Sequence, residues 1–145
     1  MQPLMDYATL FTLAEKTTAI AQPCTCTAKA LLGWEGWPVT LREAQLRQIG
    51  TLVQFEEEEA TLDEYHPQGT SYWSVEAPIA PLYHPYNQCG VWECVACGRG
   101  YLRYNDDGAY HSESRIRILT ASLIVDAGHP QQGRYPRAKT EACSG

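Results

Sequence analysis

Long apolar runs are missing from this sequence, and basic residues are few. The longest stretch without a charged residue covers residues 77–92, and its prolines Pro78, Pro81 and Pro85 exclude a membrane-spanning helix. The first residues lack the basic start of a signal peptide, so we expect a cytoplasmic protein that does not engage a membrane. With 145 residues and a mean hydropathy of −0.35, the chain is expected to be soluble and globular.

Common catalytic motifs are also missing. The sequence has no His-Glu-x-x-His, no Gly-x-Ser-x-Gly, no phosphate-binding glycine loop and no EF-hand pattern. It also shows no internal repeat. These absences leave the cysteines, the histidines and the aromatic residues as the candidates for function.

Acidic residues are concentrated in the first part of the chain. Residues 1–90 carry eleven acidic and four basic side chains, a net charge of −7, whereas residues 91–145 have a net charge of +1. Four consecutive glutamates, Glu56 to Glu59, belong to the acidic part. Such a surface repels phosphates, so the distribution disfavours a nucleic-acid partner and favours a basic protein partner.

Two helices are predicted near the N-terminus. Apolar residues recur at helical spacing from Leu4 to about Ile20, which predicts a first helix with one wide apolar face. The segment Thr40-Leu41-Arg42-Glu43 has the form of a capping box, which predicts a second helix that runs through Ile49 and stops at Gly50. A short strand is expected over residues 51–55.

The second half of the sequence predicts strands. The turn-forming run 105–108 (Asn-Asp-Asp-Gly) separates the strand predicted at 101–104 from a strand predicted to start near Ala109. We therefore predict an α+β fold, in which two N-terminal helices are followed by an antiparallel β-meander. Residues 1–126 would form a single domain, and residues 127–145 a flexible basic tail. The predicted strands after residue 65 cover residues 72–75, 91–94, 101–104 and 115–119.

The six cysteines include two closely spaced pairs. These are Cys24-x-Cys26 and Cys94-x-x-Cys97, with Cys89 and Cys143 outside the pairs. Because cysteines of a cytoplasmic protein are expected to be reduced, the pairs indicate metal ligands or redox thiols before disulfides. A reduced pair in the core and a redox Cys-x-x-Cys are the alternatives. The strand predicted after Cys97 counts against thiol exchange, which favours a cysteine at a helix N-terminus.

The second pair has the features of a metal-binding knuckle. Gly98 follows Cys97 and permits the backbone conformation that lets amide groups point at the sulfurs. Strands are predicted on both sides of the pair. At these residues the sequence resembles the knuckle of zinc-ribbon and rubredoxin-like proteins, which usually carry a second Cys-x-x-Cys-Gly. This chain has no second copy of that motif.

The other half of the site is assigned to the first pair. On an extended strand Cys89 would lie about 16 Å along the chain from Cys94, so it is a poor ligand, and His84 would need a reversal of the chain. Cys24 and Cys26 belong to an irregular loop that can bend at Thr25. We therefore predict one structural zinc ion held by four cysteines, with Cys89 or His84 left open as a replacement for one of the first pair. The predicted β-meander would thus carry a zinc knuckle, and the domain over residues 1–126 would be zinc-stabilised. The predicted ligands are Cys24, Cys26, Cys94 and Cys97.

Histidines offer a weaker alternative site. Glu64, His66 and His84 could together form a hydrolytic metal site if the fold brought them together. Both histidines precede prolines, in connections where a surface or hydrogen-bonded histidine is the more common case.

Aromatic residues are dense in the second half of the chain. They could fill a small core, stack on nucleic-acid bases with the help of Arg99 and Arg103, or form a protein-binding face. The negative net charge favours the core over base stacking. The residues concerned are Trp73, Tyr83, Tyr86, Trp92, Tyr101 and Tyr104.

Together these patterns favour a small intracellular, bacterial, zinc-stabilised protein-interaction module without enzymatic activity. An immunity- or antitoxin-like inhibitor of a basic partner fits the composition. The alternative is a zinc-ribbon nucleic-acid-binding or regulatory protein that uses Arg99, Arg103, Arg115 and Arg117. A small metal-dependent hydrolase built on the Glu64, His66 and His84 site is a second alternative.

Overall fold

Strands dominate the regular structure of this chain. The computed structural model describes residues 2–54, 61–107 and 112–128, and within them it contains one α-helix and five β-strands. The fold of these residues is therefore mostly β. The elements are α1 (Tyr7–Ala19), β1 (Glu35–Gly36), β2 (Leu46–Thr51), β3 (Gly90–Cys94), β4 (Gly100–Asp107) and β5 (Ser112–Ile118).

The strands form a single antiparallel sheet in the order β1-β5-β4-β3-β2. The register of β2 and β3 places Leu46 opposite Cys94, and the register shifts between Gln48 and Gly50. Residues 3–5 run along the outer edge of β2, where the amide of Thr51 donates to the carbonyl of Pro3 over 3.0 Å. This pairing covers the outer edge of β2 at its last residue, Thr51, whose backbone groups would otherwise be unpaired on that side.

Helix α1 forms where the sequence predicts the first helix. Asp6 caps it, because the carboxylate accepts a 2.8 Å hydrogen bond from the amide of Thr9. The buried face of the helix packs against the sheet through Leu10, Leu13, Ala14 and Thr17. The helical spacing of the apolar residues is therefore confirmed by the packing.

The prediction of a second helix is wrong. The predicted fold class, two N-terminal helices followed by a meander, is therefore wrong as well. Residues 43–45 form one 3₁₀ turn, and the chain then enters β2. Fewer than two turns of helix separate Glu43 from Gly50, which is too short for a helix without strong tertiary support. Pairing with β3 instead satisfies the backbone groups and buries Leu46, and Glu43 pairs with Arg103 rather than closing a capping box.

The predicted strands have mixed outcomes. Those at 91–94, 101–104 and 115–119 are present as β3, β4 and β5, whereas residues 72–75 form turns. Of the strand predicted at 51–55, the structure describes residues 51–54, and among these only Thr51 is in a strand. The predicted turn at 105–108 begins too early, because β4 continues to Asp107. The glutamate run at 56–59, the predicted strand start near Ala109 and residues 129–145 of the predicted tail lie outside the described residues.

Side chains of the sheet alternate between two buried clusters. Leu102 and Tyr104 of β4 face the cluster that includes α1, whereas Tyr101 faces the cluster that includes Cys26 and Cys94. This is the alternation expected of a strand covered on both faces. The cysteine pairs therefore lie on the face of the sheet opposite α1.

Candidate metal centre

Four thiols meet on one face of the sheet. The sulfur atoms of Cys24, Cys26, Cys94 and Cys97 all lie within 4.8 Å of one another. The Sγ–Sγ distance is 3.6 Å between Cys24 and Cys94, and also between Cys26 and Cys97. Each of these contacts joins residues 70 or 71 positions apart in the chain. The structure thus brings together the four cysteines that the sequence singles out, in a group that could hold a metal ion.

The second pair is positioned by the turn that connects β3 to β4. Cys94 ends β3, and the amide of Gly98 donates to the carbonyl of Cys94 over 2.8 Å. Gly98 has a φ of +87°, a conformation that a side chain would strain. The tight turn folds Cys97 back towards Cys94 and directs backbone amides at the Cys94 sulfur. The glycine after the second cysteine therefore has the role that the sequence predicts for it.

The first pair is brought together by a single 3₁₀ turn over Thr25–Thr27. The carbonyl of Cys24 accepts hydrogen bonds from the amide of Thr27, at 3.0 Å, and from its hydroxyl, at 2.7 Å. In an extended strand the two thiols would be about 6.6 Å apart, too far for one ion. The loop bends at Thr25 instead, and this bend brings the two sulfurs within 4.8 Å of each other.

Gln45 contributes hydrogen bonds that sequence patterns do not reveal. Its side-chain nitrogen lies 3.6 Å from the sulfurs of both Cys24 and Cys94, and donates to the Thr25 hydroxyl over 2.7 Å. Its backbone carbonyl accepts from the amide of Val95 over 2.9 Å. Gln45 therefore links the two halves of the site, and it takes this position only because residues 46–51 form a strand beside β3.

Tyr101 is a second partner that the sequence leaves unassigned. Its hydroxyl donates to the sulfur of Cys26 over 3.1 Å, and the residue is fully buried. On β4, Tyr101 points to the same face as the four thiols. The alternation along the strand after Cys97 would have placed it there, but nothing in the sequence pairs it with Cys26.

The thiols differ in their tendency to ionise. Burial raises the pKa of Cys94, but hydrogen bonds from the backbone of Cys97 and Ala96 and from Gln45 outweigh it and bring the pKa to about 7. Burial raises the pKa of Cys26 well above that of an ordinary thiol. A metal ion that enters the site must therefore displace a proton from Cys26, which makes its affinity depend on pH.

The donor set and its dimensions suit a soft divalent ion. A tetrahedral zinc ion with Zn–S bonds near 2.3 Å keeps its sulfurs roughly 3.8 Å apart, close to the 3.6 Å that separates the sulfurs of Cys24 and Cys94 and those of Cys26 and Cys97. Four thiolates around such an ion leave a net charge of −2. Cationic groups are close to the site, because Lys16 approaches Gly98 and a hydrogen bond with Cys97 raises the pKa of Arg99. The residues present therefore fit a four-thiolate metal site.

Neither alternative ligand reaches this centre. Cys89 is fully buried in the cluster on the other face of the sheet, and its thiol donates to the carbonyl of Pro85 over 3.3 Å. His84 forms a 3.2 Å hydrogen bond with Gln88, and its ring packs on Tyr104. Burial lowers the pKa of His84. The expectation that Cys89 is a poor ligand is confirmed by its position.

The histidine cluster of the hydrolase hypothesis forms only in part. Glu64 and His66 are joined by a 2.7 Å hydrogen bond, and the other ring nitrogen of His66 lies 2.7 Å from the Thr70 hydroxyl. His84 lines the same cavity, but its volume is about 10 Å³, too small for a substrate. Among the described residues, only the four cysteines form a group of three or more side chains able to share an ion.

The four arginines of the nucleic-acid hypothesis already have partners. Arg99 and Arg117 are buried and donate to backbone carbonyls. Arg103 pairs with Glu43, and Arg115 pairs with two carboxylates. Guanidinium groups with these partners are not free to neutralise phosphates, so these contacts disfavour nucleic-acid binding through the four arginines.

The aromatic residues of the second half do not share one face. Tyr86, Tyr101 and Tyr104 are buried in the core and belong to two clusters on opposite sides of the sheet. Trp73, by contrast, is 57% exposed. The core-filling interpretation is therefore correct for the buried tyrosines, and Trp73 needs a separate explanation.

Comparisons with known proteins leave the site to be interpreted from its own geometry. The chain matches no protein-family model, no curated protein and no solved structure. Within the described ranges, no helix has the length and apolar character needed to cross a membrane. The resemblance to zinc ribbons and rubredoxin-like proteins is therefore limited to the knuckle at residues 94–98, and what the structure adds is a four-cysteine cluster with metal-binding dimensions.

Proposed function

We propose that this protein is a zinc-stabilised protein-interaction module without enzymatic activity. The observation that carries the proposal is the convergence of four thiols within 4.8 Å from two distant parts of the chain. Four thiolates complete the tetrahedral coordination of zinc, so substrate would find no open position on the ion. The ion would cross-link these two parts of the chain and thereby stabilise the fold. It would be held by Cys24, Cys26, Cys94 and Cys97.

The position of the site supports a structural role. Cys94 ends a strand and Cys97 lies in a turn, whereas redox cysteine pairs favour the start of a helix. The site joins the loop before β1 to the turn between β3 and β4. The ion would hold the 3₁₀ turn at residues 25–27 against the sheet in addition to the hydrogen bonds that Gln45 and Tyr101 make to this turn.

The interaction role is supported by charge and by exposed apolar side chains. The chain has a net charge of −6, which favours basic partners over nucleic acids. Several large apolar side chains are exposed, among them Trp73 and Val75. An immunity- or antitoxin-like inhibitor of a basic protein remains the form of this proposal that best fits the acidic composition.

Elemental analysis tests the metal part. Protein purified without added metal and without an affinity tag that binds metal should contain about one zinc per chain. Cys94→Ser should abolish this zinc, and Cys89→Ser, which removes a thiol from the other face of the sheet, should retain it. A stoichiometry near zero, or iron in place of zinc, would overturn the assignment.

Affinity capture from the native host tests the interaction part. The full chain serves as bait, and the same chain with Cys94→Ser serves as the matched control with a weakened fold. A partner retained by the first bait and lost with the second is expected to be a basic protein. Failure to retain any protein at micromolar bait concentration would contradict the proposal.

A further inference from the structure

We infer that the surface formed by Leu32, Trp73 and Val75, here called the Trp73 patch, binds a protein segment with apolar residues flanked by lysine or arginine. This inference rests on the proposed interaction function and assigns that function a surface and a partner chemistry. The three side chains are 48%, 57% and 48% exposed. A solvated tryptophan next to two exposed aliphatic residues is typical of a binding surface.

One buried arginine holds together the two backbone segments that carry the patch. Arg117, which is 0% exposed, donates to the carbonyls of Leu32 and Val75 over 2.9 and 3.1 Å. The same guanidinium donates to the carbonyl of Ala77 over 2.9 Å and to the hydroxyl of Tyr86. The loop segments that carry the patch are therefore fixed to the core of the sheet.

Burial of the Arg117 guanidinium is energetically unfavourable, so the hydrogen bonds that compensate for it are important. Removing a guanidinium from water is unfavourable unless its donors are satisfied, and here three carbonyls and a hydroxyl satisfy them. The result is a rigid loop whose apolar side chains face solvent. A surface that is ordered before binding loses little conformational entropy when a partner docks.

Aromatic stacking fixes Trp73 further. The Arg115 guanidinium lies 5.1 Å from the centre of the Trp73 ring, and the Tyr72 ring meets it edge to face at 4.5 Å. Tyr72 in turn stacks on the buried Trp34 at 6.0 Å. The exposed indole is thus supported from below while a large part of its surface remains open to a partner.

The charges around the patch identify the partner chemistry. Arg115 pairs with Asp106 at 3.5 Å and with Glu113 at 3.0 Å, and these carboxylates remain 50% and 46% exposed. Asp106 and Glu113 thus share the single positive charge of Arg115. A further carboxylate, Glu76, is exposed and directly follows Val75. The rim of the patch is therefore acidic, which attracts basic side chains and repels acidic ones.

Three matched heptapeptides test this inference on the full chain. The first alternates lysine with leucine, the second replaces every lysine with glutamate, and the third replaces every leucine with serine. Binding is followed by NMR through the indole N–H resonance of Trp73, identified by its loss in Trp73→Phe. We expect saturable shifts with the first peptide and dissociation constants at least tenfold higher with the other two.

Variants locate the binding. In the variants, binding is followed by the fluorescence anisotropy of the first peptide carrying a dye, because Trp73→Ser lacks the indole resonance. Trp73→Ser should raise the dissociation constant of this peptide at least tenfold, and the double variant Asp106→Asn with Glu113→Gln at least threefold. Leu62→Ser and Glu15→Gln, which change an exposed apolar and an exposed acidic residue elsewhere, should leave it unchanged. Equal binding of the acidic peptide, or retained binding by Trp73→Ser at an unchanged melting temperature, would overturn the inference.

Other occupants of the patch give different results. Concentration-dependent dimerisation that Trp73→Ser abolishes would assign the patch to a second copy of this chain. At least tenfold tighter peptide binding by Arg134→Ser with Arg137→Ser would assign it to the chain's own C-terminal residues. Either result overturns the inference. If the host protein retained in the capture experiment still binds to Trp73→Ser, the patch assignment fails while the interaction function stands.

Discussion

Loss of one metal ligand should cost this protein a large part of its stability, and the chain connectivity sets the size of the effect. The ion would cross-link residues 70 positions apart. For a cross-link that closes a loop of this length, the entropy removed from the unfolded chain corresponds to about 4 kcal/mol at 25 °C. In a chain of 145 residues this corresponds to a decrease in melting temperature of roughly 8–16 °C.

Cys94→Ser is the variant of choice, because Cys94 is buried and ends β3. Replacing a buried sulfur by a hydroxyl has a cost of its own, so each protein is melted twice, in zinc-buffered solution and with a strong chelator. The difference between the two melting temperatures isolates the contribution of the metal. We expect the full difference in the natural sequence and in Cys89→Ser, and almost none in Cys94→Ser.

Differential scanning calorimetry is the direct assay, since it reports the melting temperature and the enthalpy together. A natural chain whose melting temperature does not change with chelator would refute the reasoning. So would a Cys94→Ser variant that loses as much stability to the chelator as the natural chain. Either result would mean that the four thiols meet without sharing an ion.

Three further predictions concern residues around the two faces of the sheet. Gln45→Ala should weaken zinc binding about tenfold in a chelator competition, because the side chain contacts two of the sulfurs. Arg117→Met should lower the free energy of unfolding in urea by about 3 kcal/mol or more, since it leaves buried carbonyls without donors, whereas Arg115→Met should cost less than about 1 kcal/mol. Burial lowers the pKa of His84, so the unfolded state binds more protons than the folded state below pH 6.5, and the free energy of unfolding falls as the pH decreases through that value. Urea unfolding at pH 5.5 and 7.5 should therefore show a smaller loss of stability at the lower pH in His84→Asn than in the natural sequence.

Each of these predictions has a contrary result. Unchanged zinc affinity in Gln45→Ala would show that its contacts with sulfur are incidental. Equal costs for the substitutions of Arg117 and Arg115 would contradict the role assigned to the buried guanidinium. An identical pH dependence in His84→Asn would mean that another group causes the loss of stability in acid.

The cysteine site was accessible from the sequence because its signals are local. The Cys94-x-x-Cys97-Gly98 run specifies its own turn, and the strands on both sides follow from alternating residues. Cys24 and Cys26 follow as ligands from the exclusion of Cys89 and from the irregular loop in which they lie, and the structure places their thiols beside the other pair. Gln45 and Tyr101 escaped detection, because a hydrogen bond to sulfur across the sheet depends on register, and register is not encoded by any short motif.

The incorrectly predicted second helix shows why the fold class is harder to predict from the sequence than the cysteine site. The run from Thr40 to Glu43 carries a valid helix-start signal, and nothing nearby forbids a helix. What decides the outcome is a vacant edge of β3, which lies more than forty residues further along the chain. Pairing with that edge supplies hydrogen bonds and burial that a helix of so few residues does not match.

The spacing of the four sulfurs also imposes an order of events during biosynthesis. The first cysteine pair leaves the ribosome while the residues of its partner pair, 70 positions later, have not yet been added. At synthesis rates of about 5–20 residues per second, this interval lasts roughly 4–14 s. During that time the first two thiols are on the nascent chain without the second pair, so an ion shared by all four thiols would be bound only after most of the polypeptide has been translated.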